Sequence, residues 1–401
     1  MDRPLLNRRL AEFGTTIFAE MSALAVRTGS INLGQGFPDA DGPEEVREAA
    51  VRALRDGRGN QYPPGPGIPE LRTAVAAHQE RFYGHLGLSY DPDTEVLVTA
   101  GATEAIAASL LALVEPGDEV IALEPYYDSY AACIAMAGGQ RVPVTLRAQP
   151  ESGSYRLDLD ELRDAVTDDT RLILLNTPHN PTGTVLSREE LAEIARLACE
   201  RNLLVITDEV YEHLVFEGEH LPLASFPGMR ERTLTISSAG KTFSFTGWKV
   251  GWVTAPPELI GAVRSAKQFL TYVSAGPFQY AVAEALALPD SYFTGLRDDL
   301  RAKRDVLSAG LAGAGFQVFR PTGTYFITTD IRPLGAVLSK DGDGFAFCRA
   351  LPERAGVVAI PNAVFYDHKD QGAPFVRFAF CKSVDVLEEA AGRLKALAGT
   401  P

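Results

Sequence analysis

The chain has 401 residues, 46% of them hydrophobic and 22% charged, which marks a globular rather than a disordered chain and allows two or three domains at about 100–200 residues each. Its formal net charge of −14 opposes nonspecific binding to nucleic acid or to an anionic membrane, and no apolar run reaches the length of a bilayer span. The scattered Cys133, Cys199, Cys348 and Cys381 exclude a disulfide framework or zinc-ligand spacing and, with no apolar signal core behind Met1, lead to the expectation of a cytoplasmic protein with reduced thiols.

In chain order, helical spacing from Ile17 to Arg27 precedes Ile31 to Pro38, where Gly34, Gly36 and Pro38 predict an extended arm whose bare backbone can lie against a ligand. Glu44 to Arg55 reads as a helix, with Asp41 or Gly42 near its cap. A rigid Pro-Gly loop then presents Tyr62, and a second helix runs from Glu70 to Phe82. From residue 95 strands alternate with helices. The strands are Glu95 to Thr99, Glu119 to Leu123, Arg171 to Asn176, Leu203 to Thr207 and Thr233 to Ile236, and Ser187 caps a helix to Glu200. That alternation predicts an α/β fold with a mostly parallel sheet covered by helices, which places ligands beyond the carboxyl ends of the strands. After Pro277 the order changes to a long helix from Ser291 to Ala314, short strands at 317–319, 325–329, 357–360 and 375–380, and a final helix from Val384 to Leu397. The expected organisation is an arm (1–44) packing with a small α+β domain (291–401), and a large domain (45–290) between them.

Lys241 follows the apolar run Thr233 to Ile236 and sits among hydroxyls and glycines, in the stretch Ser237 to Trp252. A lysine so placed is an amine that can condense with an aldehyde cofactor, and Ser238 and Lys249 can hold that cofactor's phosphate. The stretch resembles the cofactor-lysine segment of class I aminotransferases, which use pyridoxal 5′-phosphate (PLP). Such a cofactor works as an electron sink only while its ring nitrogen stays protonated. Asp208, leaving an apolar strand, is a carboxylate that can keep it so; taken in isolation, a strand-end Asp capping a helix fits equally well. Tyr211 and Asn180 can reach the cofactor's 3′ oxygen. Gly101, Ala102 and Thr103 open an Ala-rich helix whose amides suit phosphate, Tyr62 can add a phenol, and Tyr126 can stack on the ring. Arg377, a lone guanidinium in the apolar strand 375–380, suits a substrate carboxylate. His179 reads as a loop histidine.

With these residues in place, the chain is identified as resembling the fold-type I, class I PLP aminotransferases, nearest the branch of kynurenine, glutamine and methionine aminotransferases and the actinobacterial N-succinyldiaminopimelate aminotransferases. The stretches that carry the resemblance occur in family order: Asn32 to Pro38, Asn60 to Tyr62, Val98 to Glu104, Glu124 to Tyr130, Asn176 to Gly183, Thr207 to Tyr211, Ser237 to Trp252 and Val376 to Phe380. The resemblance implies Lys241 as the Schiff-base lysine, Asp208 as the pyridinium partner, and Tyr211 and Asn180 as ligands of the 3′ oxygen. It also implies Tyr126 as the stacking ring and Gly101, Ala102, Thr103, Ser238 and Lys249 as phosphate ligands. Arg377 and the Gly36 backbone would hold the substrate carboxylate. The homodimer it implies would take Tyr62 and Tyr272 from the neighbouring subunit.

Kynurenine-type relatives carry an aromatic where Thr103 stands and a tryptophan where Phe18 stands, and a Phe-His pair lies where this chain has Tyr272-Val273. The side-chain pocket is therefore expected to differ from theirs. The expected activity is transfer of the amino group of an L-amino acid of aromatic, methionine, glutamine or kynurenine type to a 2-oxo acid such as 2-oxoglutarate, without a metal. The alternatives are an N-succinyldiaminopimelate aminotransferase of lysine biosynthesis, a PLP-dependent C–S β-lyase, and a regulator without turnover, which the net charge of −14 disfavours.

Overall fold

A computed structural model of the protein describes residues 5–14, 16–335 and 342–398. The chain enters through α1 (Ile17–Thr28), which starts where the Thr16 hydroxyl accepts the Ala19 amide and stops at Gly29 with φ +64°. β1 (Ile31–Asn32) follows, then α2 (Glu44–Arg55) and α3 (Pro69–Tyr83). Neither Asp41 nor Gly42 caps α2: Pro43 holds the N-cap position without a side-chain bond, and Asp41 pairs with Arg47 at 2.9 Å.

The central layer comes next: β2 (Val96–Thr99), α4 (Gly101–Leu113), β3 (Glu119–Glu124), α5 (Asp128–Ala137), β4 (Gln140–Gln149), β5 (Ser154–Leu157), α6 (Leu159–Ala165), β6 (Thr170–Asn176), α7 (Arg188–Glu200), β7 (Leu204–Asp208), β8 (Thr233–Ser238), α8 (Ala239–Thr242) and β9 (Gly251–Thr254). The strands form an eight-stranded sheet in the order β2-β9-β8-β7-β6-β3-β4-β5. Pairs from β8 through β7, β6 and β3 to β4 are parallel, whereas β9 and β5 run antiparallel to their neighbours. Both faces are buried. Leu172 and Leu174 point to the core beneath α4 and α5, and Ile173 and Leu175 point to the opposite core with α7, as the two-residue period of a strand requires. Hence the strands are continuously apolar until a polar residue closes them.

α9 (Pro257–Lys267), α10 (Gly276–Leu286) and the long α11 (Asp290–Gly313) lead to a four-stranded antiparallel sheet, β10-β11-β14-β13. It is built from β10 (Gln317–Phe319), β11 (Phe326–Asp330), β13 (Ile360–Pro361) and β14 (Phe375–Ala379), with α12 (Gly344–Ala355), α13 (Lys369–Gly372) and α14 (Val384–Ala398) around it. The expected strand 357–360 is two pieces. β12 (Val357–Val358) pairs in parallel with β1, and Ile360 then crosses to pair with β14. A continuous apolar run does not reveal which neighbour each residue will bond. The same core holds Met21, Leu24 and Leu33 with Phe347, Leu351 and Phe378, so the arm packs on this sheet and its helices. No helix among the described residues is long and apolar enough to cross a membrane.

Candidate active site

Beyond the carboxyl ends of β2, β6, β7 and β8 lies a cavity of about 890 Å³. One end is an anion cradle. Gly101 opens α4 with φ +76°, and a Cβ there would stand 3.1 Å from Lys249 Nζ. A Cβ on Gly251 would stand 2.6 Å from the Gly101 carbonyl carbon, so the two glycines allow β9, Lys249 and the start of α4 to close up. The first-turn amides of α4, with Ala102 and Thr103, face the same space as Ser238 and Lys249. Lys249 has no carboxylate partner among the described residues. An ammonium, a hydroxyl and free helix-start amides converging without a counterion are a donor set for a phosphate dianion.

Asp208 closes β7 at the cavity floor. Tyr130 donates to its Oδ2 at 2.6 Å and the Val210 amide to its Oδ1 at 3.3 Å, while Asn176 Nδ2 donates to its backbone carbonyl at 2.7 Å. Burial pushes the Asp208 carboxyl up to about 6; the Tyr130 bond, the Val210 amide and Lys241 pull it the other way. A carboxylate in such a setting gains most from a cationic N–H directly above it. Asn176 Oδ1 also accepts the Asn180 amide at 2.7 Å, which fixes the turn carrying Asn180.

The short helix α8 delivers Lys241. Its Nζ donates to the Gly36 carbonyl at 3.3 Å and lies 5.8 Å from the Tyr211 ring centroid. Burial lowers its pKa to about 8, against the opposing pull of Cys381 and Asp208, so about a tenth of the amine is neutral at pH 7. Tyr325 donates to the same Gly36 carbonyl at 2.6 Å and meets Tyr211 edge-on at 5.3 Å.

Arg377, 1% exposed, marks the other end. Its Nη1 donates to Asn180 Oδ1 and its Nη2 to the Gly34 carbonyl, both at 2.8 Å, and the guanidinium lies 4.1 Å from the Phe326 centroid and 5.3 Å from that of Phe18. Burial lowers its pKa to about 10. No carboxylate forms an ion pair with it among the described residues, Asp128 acting on it only from a distance, and Nε lacks a partner. A buried, oriented and unneutralised guanidinium is a carboxylate receptor.

The structure therefore brings Gly36, Asn180, Asp208, Tyr211, Lys241 and Arg377 to one cavity, with Phe18 and the cradle residues Gly101, Ala102, Thr103, Ser238 and Lys249. Tyr126 requires a correction. Its hydroxyl donates to Asp367 at 2.7 Å and its amide to Phe365, away from the cavity, and Tyr127 faces the cavity instead. Of two adjacent tyrosines the turn into α5 can aim only one inward, and composition does not say which. Tyr62 and Tyr272 are also outside this cavity: they are 81% and 49% exposed and stack edge-on at 5.5 Å. Sequence reasoning missed Tyr130, Asn176 and Tyr325. Asn176 had a signal, as the polar residue that ends an apolar strand; the two tyrosines had none.

The Aminotransferase class I and II family model matches residues 28–394. The probable N-succinyldiaminopimelate aminotransferase DapC of Mycobacterium tuberculosis is 56% identical over 402 residues, covering 98% of either chain. The solved structure of N-succinyldiaminopimelate aminotransferase from that organism superposes with a TM-score of 0.93 at 56% identity, over 98% of this chain and 100% of that one. The methionine aminotransferase of Escherichia coli K12 is 39% identical over 402 residues, covering 99% of this chain and 100% of the relative. The chain belongs to the class I and II aminotransferases, and it is an enzyme of that type with the fold-type I architecture. The family implies PLP, and the residues present fit it: a cradle that a Cβ would fill, an uncompensated ammonium, a buried carboxylate and a buried amine lie around one space.

Proposed function

We propose that the enzyme moves an amino group between N-succinyl-LL-2,6-diaminoheptanedioate (N-succinyldiaminopimelate) and 2-oxoglutarate, with PLP as its cofactor. The observation that carries this reading is 56% identity, over 98% of both chains, to the probable N-succinyldiaminopimelate aminotransferase of M. tuberculosis. It reverses the order expected from sequence, where an aromatic, methionine, glutamine or kynurenine donor came first. That second reading keeps the support of the E. coli methionine aminotransferase at 39%.

PLP, when bound, supplies the electron sink that stabilises negative charge at the substrate's α-carbon. Asp208 holds a proton on the ring nitrogen. Gly101, Ala102, Thr103, Ser238 and Lys249 grip the phosphate, and Tyr127 takes the stacking position first assigned to Tyr126. Tyr211 and Asn180 donate to the 3′ oxygen; Asn180 Oδ1 is committed to Arg377, which leaves its Nδ2 for that purpose. Arg377 fixes the α-carboxylate beside the Gly36 backbone, and Lys241 Nζ takes the α-carbon proton, its lowered pKa matching that task. The exposed Tyr62–Tyr272 pair supports a homodimer in which each subunit lends these rings to its neighbour's site.

The test is a donor panel with 2-oxoglutarate, comparing the N-succinylated donor with methionine, glutamine, phenylalanine and kynurenine. The expected result is a kcat/KM for the N-succinylated donor at least about tenfold above the others. A higher value for methionine or kynurenine would establish the second reading, and pyruvate and ammonia formed from a cysteine-like donor without an acceptor would establish a β-lyase.

A further inference from the structure

The inner end of the cavity holds Arg377, but the same cavity continues to solvent between α1, α12 and α13, where Arg349 and Lys369 line it. Lys369 is exposed and has no carboxylate partner among the described residues. Arg349, with a side chain 56% exposed, donates from Nε to Glu20 at 2.8 Å and from Nη2 at 3.4 Å, leaving Nη1 uncommitted. Glu20 thus orients the guanidinium and occupies one edge of it. The other acidic groups on this cavity are Asp208 at its floor, Glu12, 3.9 Å from Arg141, and the partly buried Asp128 at the start of α5, whose charge is felt by Arg377. Between the two ends the wall is apolar, with Ile17, Phe18, Phe345 and Val364.

A cation at the inner end, an apolar wall and two further cationic groups at the outer end describe a long substrate that is anionic at both extremes. An N-succinylated diaminoheptanedioate has this form: one carboxylate beside the reacting amine, a three-methylene stem, and at the far end two carboxylates, one on the carbon that bears the amide nitrogen and one at the tip of the succinyl group. Methionine, phenylalanine and kynurenine carry no far carboxylate. We infer that Lys369 and Arg349 are the specificity-determining residues of this enzyme, holding the two distal carboxylates while Arg377 holds the one beside the reacting carbon. This assignment rests on the substrate proposed above. With both side chains at the outer end of the cavity, the assignment gives them a part in binding and not in the chemical step.

The test uses the PLP-loaded enzyme and the variants Lys369→Met and Arg349→Met, which keep the aliphatic stems at exposed positions. For the N-succinylated donor each should raise KM about tenfold or more, as loss of a charge-assisted contact does, with kcat within about twofold. For methionine as donor kcat/KM should stay within about twofold of wild type. Equal effects on both donors, or none on either, would overturn the assignment. Should the wild type turn over methionine but not the N-succinylated compound, the proposed substrate is wrong, and the same variants are read by competitive inhibition with heptanedioate and with hexanoate. A wild-type preference for heptanedioate that the variants lose then upholds a distal carboxylate site; no such preference, or one the variants retain, refutes it.

Discussion

Tyr130 and Asp208 share a 2.6 Å hydrogen bond beneath the floor of the active-site cavity, a contact between the first helical turns of α5 and the last residue of β7. Burial alone drives the Asp208 carboxyl toward its neutral form, and the phenol opposes that drive. In the role proposed for it, Asp208 serves PLP only as an anion. Tyr130→Phe should therefore raise the Asp208 pKa further and shift the acidic limb of the pH profile upward by about one unit, lowering kcat/KM about twofold at pH 7 and about tenfold at pH 5. A pH–rate profile of the variant beside wild type checks this.

Gly101 stands at φ +76° with Lys249 Nζ 3.1 Å from where a Cβ would be. Gly101→Ala should cost about 1–2 kcal/mol of stability from the left-handed backbone alone. It should also push Lys249 off its position and weaken PLP retention about tenfold or more. Urea denaturation of the cofactor-free chain measures the first effect, and a PLP titration followed by fluorescence measures the second.

Acid stability should be governed in part by the pair of buried His78 and half-buried His213, whose Nε2 atoms lie 2.7 Å apart. Burial lowers the His78 pKa from 6.5 to about 4 and lowers that of His213 as well. Between pH 6.5 and 4 the unfolded chain binds protons that these rings refuse when folded, so stability falls as pH falls through that window. Asp208, with its folded pKa raised from 3.8 to about 6, contributes the opposite slope: its stabilisation is full below 3.8 and is lost as pH rises through 6. The difference between His78→Gln and wild type removes that shared background. Relative to wild type, the variant should gain about 3 kcal/mol on going from pH 7 to pH 4, read from urea midpoints at both pH values.

The Tyr62–Tyr272 pair on the surface gives a test of subunit sharing. Lys241→Ala and Tyr62→Ala homodimers should each be strongly impaired. After subunit exchange a mixed dimer has one site with both native groups, so the mixture should gain activity over either parent, up to about a quarter of wild type in an equimolar mixture with random pairing. No gain despite proven exchange, with the Tyr62 variant impaired alone, would contradict the sharing.

The site was legible where polarity interrupts an apolar strand. Asp208 ends β7, Lys241 follows β8, and Arg377 sits within β14, so each stands out in the sequence. It was not legible where a choice of direction decides. Tyr126 and Tyr127 are chemically alike, and only the path of the chain into α5 sends the second to the cavity. Tyr325 was hidden for a related reason: its phenol matters because the arm brings the Gly36 carbonyl to it from 289 residues away. In the fold, β3, β6, β7 and β8 were readable from their apolar runs. β4 and β5 were not, since this edge ribbon exposes alternate residues such as Arg147 and Arg156 and interrupts the pattern. β9 was not legible either, because Gly251 and Thr254 leave only Trp252 and Val253 as an apolar run, although it pairs with both β2 and β8.

The central claim is that the amine of Lys241 is the group that carries PLP and does the proton work at the substrate's α-carbon. Its most direct test is to treat the PLP-loaded enzyme with borohydride, digest it and locate the pyridoxyl group by peptide mass spectrometry. The expected result is one modified peptide with the group on Lys241. Labelling at Lys249, Lys267 or another lysine, or no covalent label on an enzyme that still transaminates, would contradict it.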